Sequence, residues 1–153
     1  MGYDVHRFAA GRPLVLGGVT IEHPLGLEGH SDADVLCHAI ADALLGAAGE
    51  SDIGHHFPNT DESIRGISSL EILRRVKKLL MEKYSDIQNV DATVVAEQPK
   101  IGPHVAEMKK KIAAALEISE NAVGIKATTN ERMGFVGRGE GIAAFAVASV
   151  ERK

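Results

Sequence analysis

Residues 30–49, HSDADVLCHAIADALLGAAG, decide how the chain folds. Val35, Leu36, Ala39, Ile40, Ala43, Leu44 and Ala47 recur at three- and four-residue spacing, which predicts a helix with a broad apolar face. Ser31 is expected as its N-cap with Asp34 at the third helical position, and Gly49 stands just past the end. One feature interrupts this pattern. Asp34, His38 and Asp42 are spaced i, i+4, i+8 and form a polar stripe along an otherwise apolar segment. The stripe reads either as a hydrogen-bonded seam or as part of a metal site. In the second case His38 would donate its other ring N–H to Asp34 or Asp42, one turn away. Cys37, about 100° around the helix from His38, is expected in the core.

Working outward, residues 2–8 have strand character, and LVLGGVTI at 14–21 reads as two short strands turning at Gly17 and Gly18. Asp4 and His6 lie two apart on the first strand, so both side chains share a face at about 6–7 Å backbone spacing. An isolated Asp-x-His is more often the wet face of a strand than a metal clip. With His38 added, the three would form a nitrogen and oxygen zinc site whose fourth position stays open, the catalytic pattern.

The stretch DIGHHFPNTDESIRG, residues 52–66, is polar and carries Gly and Pro, which predicts an exposed, mobile loop. A second helix is expected from about Ser69 to Tyr84. Ser68 and Glu71 form its capping box, and Leu70, Leu73, Val76, Leu79 and Leu80 its stripe. NVDATVVAE at 89–97 is β-rich, Pro103 opens a helix to about Leu116, and VGIKATT and GIAAFAVASV supply two later strands. This succession is an α+β domain with helices against one sheet.

The chain has 153 residues, 44% hydrophobic and 25% charged, the composition of one globular domain without a membrane span. A net charge of −4 argues against a nucleic-acid backbone or an acidic membrane as partner, so any phosphate must be met locally. The single cysteine excludes an internal disulfide framework and fits a reducing compartment. No leader pattern is visible, so the cytoplasm is expected, or a plastid stroma if a transit peptide has been removed. With 4% aromatic residues the core is modest, which favours oligomerisation.

Between Lys126 and Gly141, KATTNERMGFVGRGEG brings Thr128, Thr129 and Glu131 next to Gly134, Gly137 and Gly139. The segment reads either as a hairpin loop or as a phosphate contact, in which hydroxyls donate to phosphate and Glu131 holds a hard cation. It is neither a Walker loop nor a dinucleotide fingerprint. His23, His55, His56 and His104 stand in turn or loop contexts and are given no ligand role.

Five blocks, GYDVH at 2–6, HSDADVLCHAIADALLG at 30–46, DIGHHFPNTD at 52–61, AEQPKIGPH at 96–104 and the Lys126–Gly141 segment, resemble in order and spacing the 2-C-methyl-D-erythritol 2,4-cyclodiphosphate synthase family of the non-mevalonate isoprenoid pathway. The resemblance spans the whole chain. It implies a mixed four-stranded sheet with helices on one face plus a small hairpin, assembled as a homotrimer with sheets facing the three-fold axis. It implies that Asp4, His6 and His38 bind Zn²⁺ while Glu131 contacts a diphosphate-bound Mg²⁺ or Mn²⁺. His30 and Thr129 would stabilise the transition state. Ser31, Asp52, Ile53, Gly54, Phe57, Asp61, Thr128 and Asn130 would contact substrate. The 96–102 segment, with Ala96, Pro99, Lys100, Ile101 and Gly102, would enclose cytosine largely through backbone groups. The 52–54 loop and the metal triad are expected from different chains of a shared site. Phe135 and Arg138 would face a ligand cavity on the trimer axis that can hold an isoprenoid diphosphate.

The implied reaction takes 4-diphosphocytidyl-2-C-methyl-D-erythritol 2-phosphate. Its 2-phosphate attacks the β-phosphorus, closing a cyclic diphosphate and expelling CMP. Two departures from the family stand out: Asn59 where Asp is common, and a single residue before the GYDVH block. Two rival readings share these parts, a metal-dependent phosphodiesterase using water, and a trimeric binding protein with structural metal.

Overall fold

The structure is a computed structural model, and it describes residues 1–83 and 86–152. Its main sheet holds β1 (Gly2–Ala9), β4 (Gly26–Leu27), β5 (Ile87–Val95), β6 (Val123–Thr128) and β7 (Gly141–Val150), in the order β4-β1-β7-β5-β6. The hairpin β2 (Leu14–Leu16) with β3 (Val19–Ile21) stands apart. Among the described residues the α-helices are α1 (Val35–Ala48), α2 (Ile53–His56), α3 (Ser69–Lys83), α4 (Val105–Leu116) and α5 (Gly134–Gly137). The sheet is mixed, because β5 and β6 run parallel while β1, β7 and β5 are antiparallel neighbours. The α+β arrangement with helices on one face agrees with the sequence. The sheet has five strands rather than the four expected, since Gly26–Leu27 pairs with Phe8 and Ala9 at its edge.

Helix α1 lies on the sheet and is buried almost all round. Its alanines let it approach closely, and Gly2 carries this furthest: a Cβ on Gly2 would sit 2.0 Å from the Ala39 carbonyl oxygen. That proximity brings β1 within side-chain reach of His38. Gly49 ends the helix with φ 76°, its N–H donating to the Gly46 carbonyl.

The N-cap is Asp34, not Ser31. The Asp34 carboxylate accepts from Cys37 N at 3.1 Å, and also from Gly17 N at 2.9 Å and Gly18 N at 2.7 Å. Both glycines have positive φ, as the tight hairpin turn requires. One carboxylate therefore caps α1 and docks the β2–β3 turn. Burial raises its pKa, with the Asp32 charge adding to the shift and three backbone N–H groups opposing it.

The helix expected from Pro103 begins two residues later at Val105, Pro103 itself lying in the 3₁₀ turn Gly102–His104 that precedes α4. α3 matches its predicted start, and Tyr84, its expected end, lies outside the described residues.

Candidate metal centre and substrate cleft

Strand alternation sends Asp4 and His6 toward α1 and leaves Tyr3, Val5 and Arg7 on the open face of the sheet. His38, on the one partly open stripe of α1, meets them. Asp4 Oδ2 lies 2.9 Å from His6 Nε2 and 3.0 Å from His38 Nδ1, and the two ring nitrogens are 3.1 Å apart. Among the described residues this is the one group of three or more His, Cys, Asp and Glu side chains close enough to share a metal ion.

The triangle suits a metal by size and by tautomer. Tetrahedral zinc with bonds of about 2.0–2.1 Å separates its ligand atoms by about 3.3 Å, slightly more than the edges here. His6 Nδ1–H donates to the Glu28 carbonyl at 2.6 Å, which leaves the Nε2 lone pair for the centre. His38 Nε2 lies 3.0 Å from Ser31 Oγ and 2.9 Å from Ser69 Oγ, and an N–H donated there leaves the Nδ1 lone pair for the same point. Ser69 Oγ in turn donates to Asp32. The hydroxyls of Ser31 and Ser69 thus do what Asp34 and Asp42 were expected to do. Asp34 is spent on its caps, and Asp42 accepts from Ile53 N at 2.9 Å.

Electrostatics follow from the same contacts. Burial alone would raise the Asp4 pKa, but hydrogen bonds from His38 and His6 outweigh it and hold the carboxyl far below the usual range. Burial alone would lower the His6 pKa, and the hydrogen bond and charge of Asp4 reverse that and raise it. Cys37 is fully buried and burial pushes its thiol well up, so it takes no part.

A cleft of about 210 Å³ opens over the triad. Besides Asp4, His6 and His38 it is lined by His30, Ser31, Ile53, Gly54, Phe57 and Asn59. Ile64, Ile67 and Ile72 add an apolar wall. The 52–66 segment is mostly exposed, as expected, and carries local structure. Asp52 caps α2, Asp61 caps the 3₁₀ turn Glu62–Ile64, His30 Nε2–H donates to the Asp61 carbonyl, and Ile64 is buried. The Asp61 carboxylate, drawn below its usual pKa by Ser63, faces a different cavity with His56 and Arg75. Ile53 and Gly54 share the triad's cleft within one chain, which corrects the expectation that they come from separate subunits: Asp42 ties α2 to the helix that carries His38.

The remaining predicted residues form a second group elsewhere. Thr128 ends β6 opposite Val95, and Ala96 N donates to the Thr128 carbonyl at 3.0 Å. The 96–102 segment and the 128–132 turn therefore leave the sheet side by side. Register places Val5, Ala143, Val95 and Thr128 in one row across the sheet. Thr128 is thus three strand spacings from β1, about 14 Å, and on the face opposite Asp4 and His6. Phe135 joins Tyr3, Val5 and Arg7 around a cavity of about 330 Å³ on that open face, while Arg138 pairs with Glu140 at 2.7 Å. His56 departs from its expected solvation: its Nε2 is buried, 4.0 Å from Glu50.

Comparison with known proteins follows the same lines. The chain is 62% identical over 149 residues to the 2-C-methyl-D-erythritol 2,4-cyclodiphosphate synthase of Symbiobacterium thermophilum, covering 97% of this chain and 95% of that one. It is 56% identical to the Synechococcus elongatus protein of the same name over 99% of this chain and 94% of the other. Among solved structures, the bifunctional IspDF of Campylobacter jejuni superposes with TM-score 0.95 at 40% identity, over 99% of this chain and 41% of that chain. A Plasmodium falciparum IspF–CDP complex gives 0.85 at 35% identity, covering 99% of this chain and 94% of the other. The YgbB family model matches residues 1–151, and with these identities the chain belongs to the YgbB family.

Proposed function

We propose that this chain is a 2-C-methyl-D-erythritol 2,4-cyclodiphosphate synthase, a phosphorus–oxygen lyase that converts 4-diphosphocytidyl-2-C-methyl-D-erythritol 2-phosphate to the cyclic diphosphate and CMP. The observation that carries it is the Asp4, His6 and His38 triangle, with both imidazoles locked through their far nitrogens, in a chain whose relatives bear that name. Asp4, His6 and His38 hold Zn²⁺, and Glu131 meets an Mg²⁺ or Mn²⁺ carried on the diphosphate. Bound divalent ions supply Lewis acidity and neutralise phosphate charge, which a chain of net charge −4 needs for so anionic a substrate.

The protein's own residues orient rather than attack. The substrate's 2-phosphate oxygen forms the new bond to the β-phosphorus while the bond to the CMP oxygen breaks, so the task is to fold one molecule into line. Ser31, Ile53, Gly54 and Phe57 bound that space beside the triad, and His30, fixed by the Asp61 carbonyl, stands at its edge. Asp52 and Gly54 meet the ribose. The 96–102 segment encloses cytosine, and Thr128, Thr129 and Asn130 meet the phosphates.

Assembly completes the site. Thr128 lies three strand spacings from β1 and on the face opposite Asp4 and His6, which supports a reading in which a neighbouring copy brings the nucleotide group to the triad. The open face offers a surface for that copy in Tyr3, Val5, Phe145 and Val147, each 40–50% exposed. We read the assembly as a homotrimer with these faces around the axis, where the cavity beside Phe135 would admit an isoprenoid diphosphate.

Incubation with the diphosphocytidyl substrate and Mg²⁺, with and without chelator, tests the reading. CMP and the cyclic product should form and stop with chelator. Linear phosphate carrying ¹⁸O from solvent water would instead assign a hydrolase.

A further inference from the structure

Beyond Thr128 the chain enters a turn that ordinary residues avoid. Glu131 and Arg132 have φ of 52° and 61°, left-handed values at two consecutive positions without glycine. Such a conformation persists only where its surroundings impose it. Local bonds help: Met133 N donates to the Asn130 carbonyl at 2.9 Å, Asn130 Nδ2 to the Met133 carbonyl at 2.7 Å, and Glu131 N to Thr129 Oγ1 at 3.2 Å. Gly137 closes one side, since a Cβ there would lie 2.1 Å from the Arg132 carbonyl carbon.

The other side is closed by Glu97. Its Oε1 accepts from Asn130 N at 2.9 Å and from Arg132 N at 3.1 Å, the amides on either side of Glu131. Successive N–H groups in a turn form a concavity for an anion, and here the anion is built into the chain. Glu97 also opens the 96–102 segment. It is therefore the polar link from that arm to the turn carrying Thr129 and Glu131. Its charge is turned onto backbone amides, so it adds little repulsion toward a phosphate. Thr129 Oγ1, already accepting from Glu131 N, keeps its O–H as a donor.

We infer that Glu97 is a positioning residue for the nucleoside diphosphate site: it holds the 129–133 turn in its left-handed form, presents Thr129 and Glu131, and couples that turn to the arm at 96–102. The inference rests on the functional reading above. The test compares Glu97→Ala and Glu97→Gln in the full chain, reading amide hydrogen exchange without ligand, calorimetric binding of CDP with Mg²⁺, and zinc content. Glu97→Ala should speed exchange at Asn130 and Arg132 by about tenfold or more with the Val94 and Ile125 amides unchanged, and weaken Mg²⁺–CDP binding by about tenfold, zinc content staying at the wild-type value. Glu97→Gln keeps a neutral acceptor and should recover most of both. Unchanged exchange in Glu97→Ala overturns the inference, as does a loosened turn that binds Mg²⁺–CDP like wild type. Wild-type protein that fails to bind Mg²⁺–CDP would bring down the functional reading instead, with exchange still deciding whether Glu97 holds the turn.

Discussion

His38 shows how one residue is made specific. Its ring is held from both ends, by Asp4 at Nδ1 and by the Ser31 and Ser69 hydroxyls at Nε2, while its backbone belongs to a helix that is buried independently of it. His38→Ala should therefore abolish tight zinc binding and turnover with a circular dichroism spectrum like wild type; one retained tight zinc per chain would refute the triad. Acid should oppose the metal. In the metal-free site His6 is raised above its ordinary 6.5, so its pairing with Asp4 stabilises the fold fully below that value and is lost as pH rises through the raised one. Asp4 has the opposite sign, stabilising above its ordinary 3.8 and failing only as pH falls through its lowered value. Zinc must displace the His6 proton, so zinc affinity should fall by up to about tenfold per pH unit below the His6 pKa, with proton release on uptake. Calorimetric heats that do not depend on the buffer's ionisation enthalpy would contradict this. The Asp4–His6 pair and the stripe carrying His38 were legible from the two-residue and four-residue spacings, but only the family resemblance joined them into a triad, and the tautomer locks left no sign. Glu28 contributes only a carbonyl, and Ser69 arrives from another helix, so neither leaves a mark at sequence spacing.

Among the elements, the contact of β1 with α1 matters most for the site. Gly2 lets the strand lie against the Ala39 carbonyl, and Asp4 and His6 follow two and four residues later on the same face. Gly2→Ala should push the strand outward, destabilising the fold by roughly 1–3 kcal/mol and weakening zinc binding although no ligand is changed. Thermal unfolding with a zinc titration checks both; a variant matching wild type in each would mean the strand end yields freely. Helix α1 could be read because its 3.6 period is long and regular. Its cap could not, because Ser31, Asp32 and Asp34 all suit the position. Ala33, at φ 58°, turns the chain so that Asp34 faces the helix amides and the β2–β3 turn together, a tertiary choice. Gly26–Leu27 is too short to show alternation, and the 52–66 segment, exposed as its polar composition predicts, hides its local order: its Asp residues cap short turns and the Asp61 carbonyl anchors His30.

At the scale of the whole molecule, the row joining Val5 to Thr128 separates the metal triad from the end of β6 by the width of the sheet. One chain carries His38 with Ile53 and Gly54 in a single cleft, while its Glu131 belongs to the turn that follows Thr128, three strand spacings from β1. If sites form between copies, two dead variants complement each other only when their lesions lie in different halves. His38→Ala and Glu131→Ala chains, mixed in equal amounts and exchanged to equilibrium, should regain about a quarter of wild-type turnover, because a site needs an intact triad from one chain and an intact turn from its neighbour. His38→Ala mixed with Asp52→Ala should regain nothing beyond the residual activity of each, since Asp52 sits on the element bound to His38's own helix through Asp42. Light scattering must first show a trimer and tagged chains must show exchange. Recovery in the second mixture would move α2 to the neighbour's half. No recovery in the first, with exchange verified, would mean that each chain completes its own site by a rearrangement of the 128–132 turn.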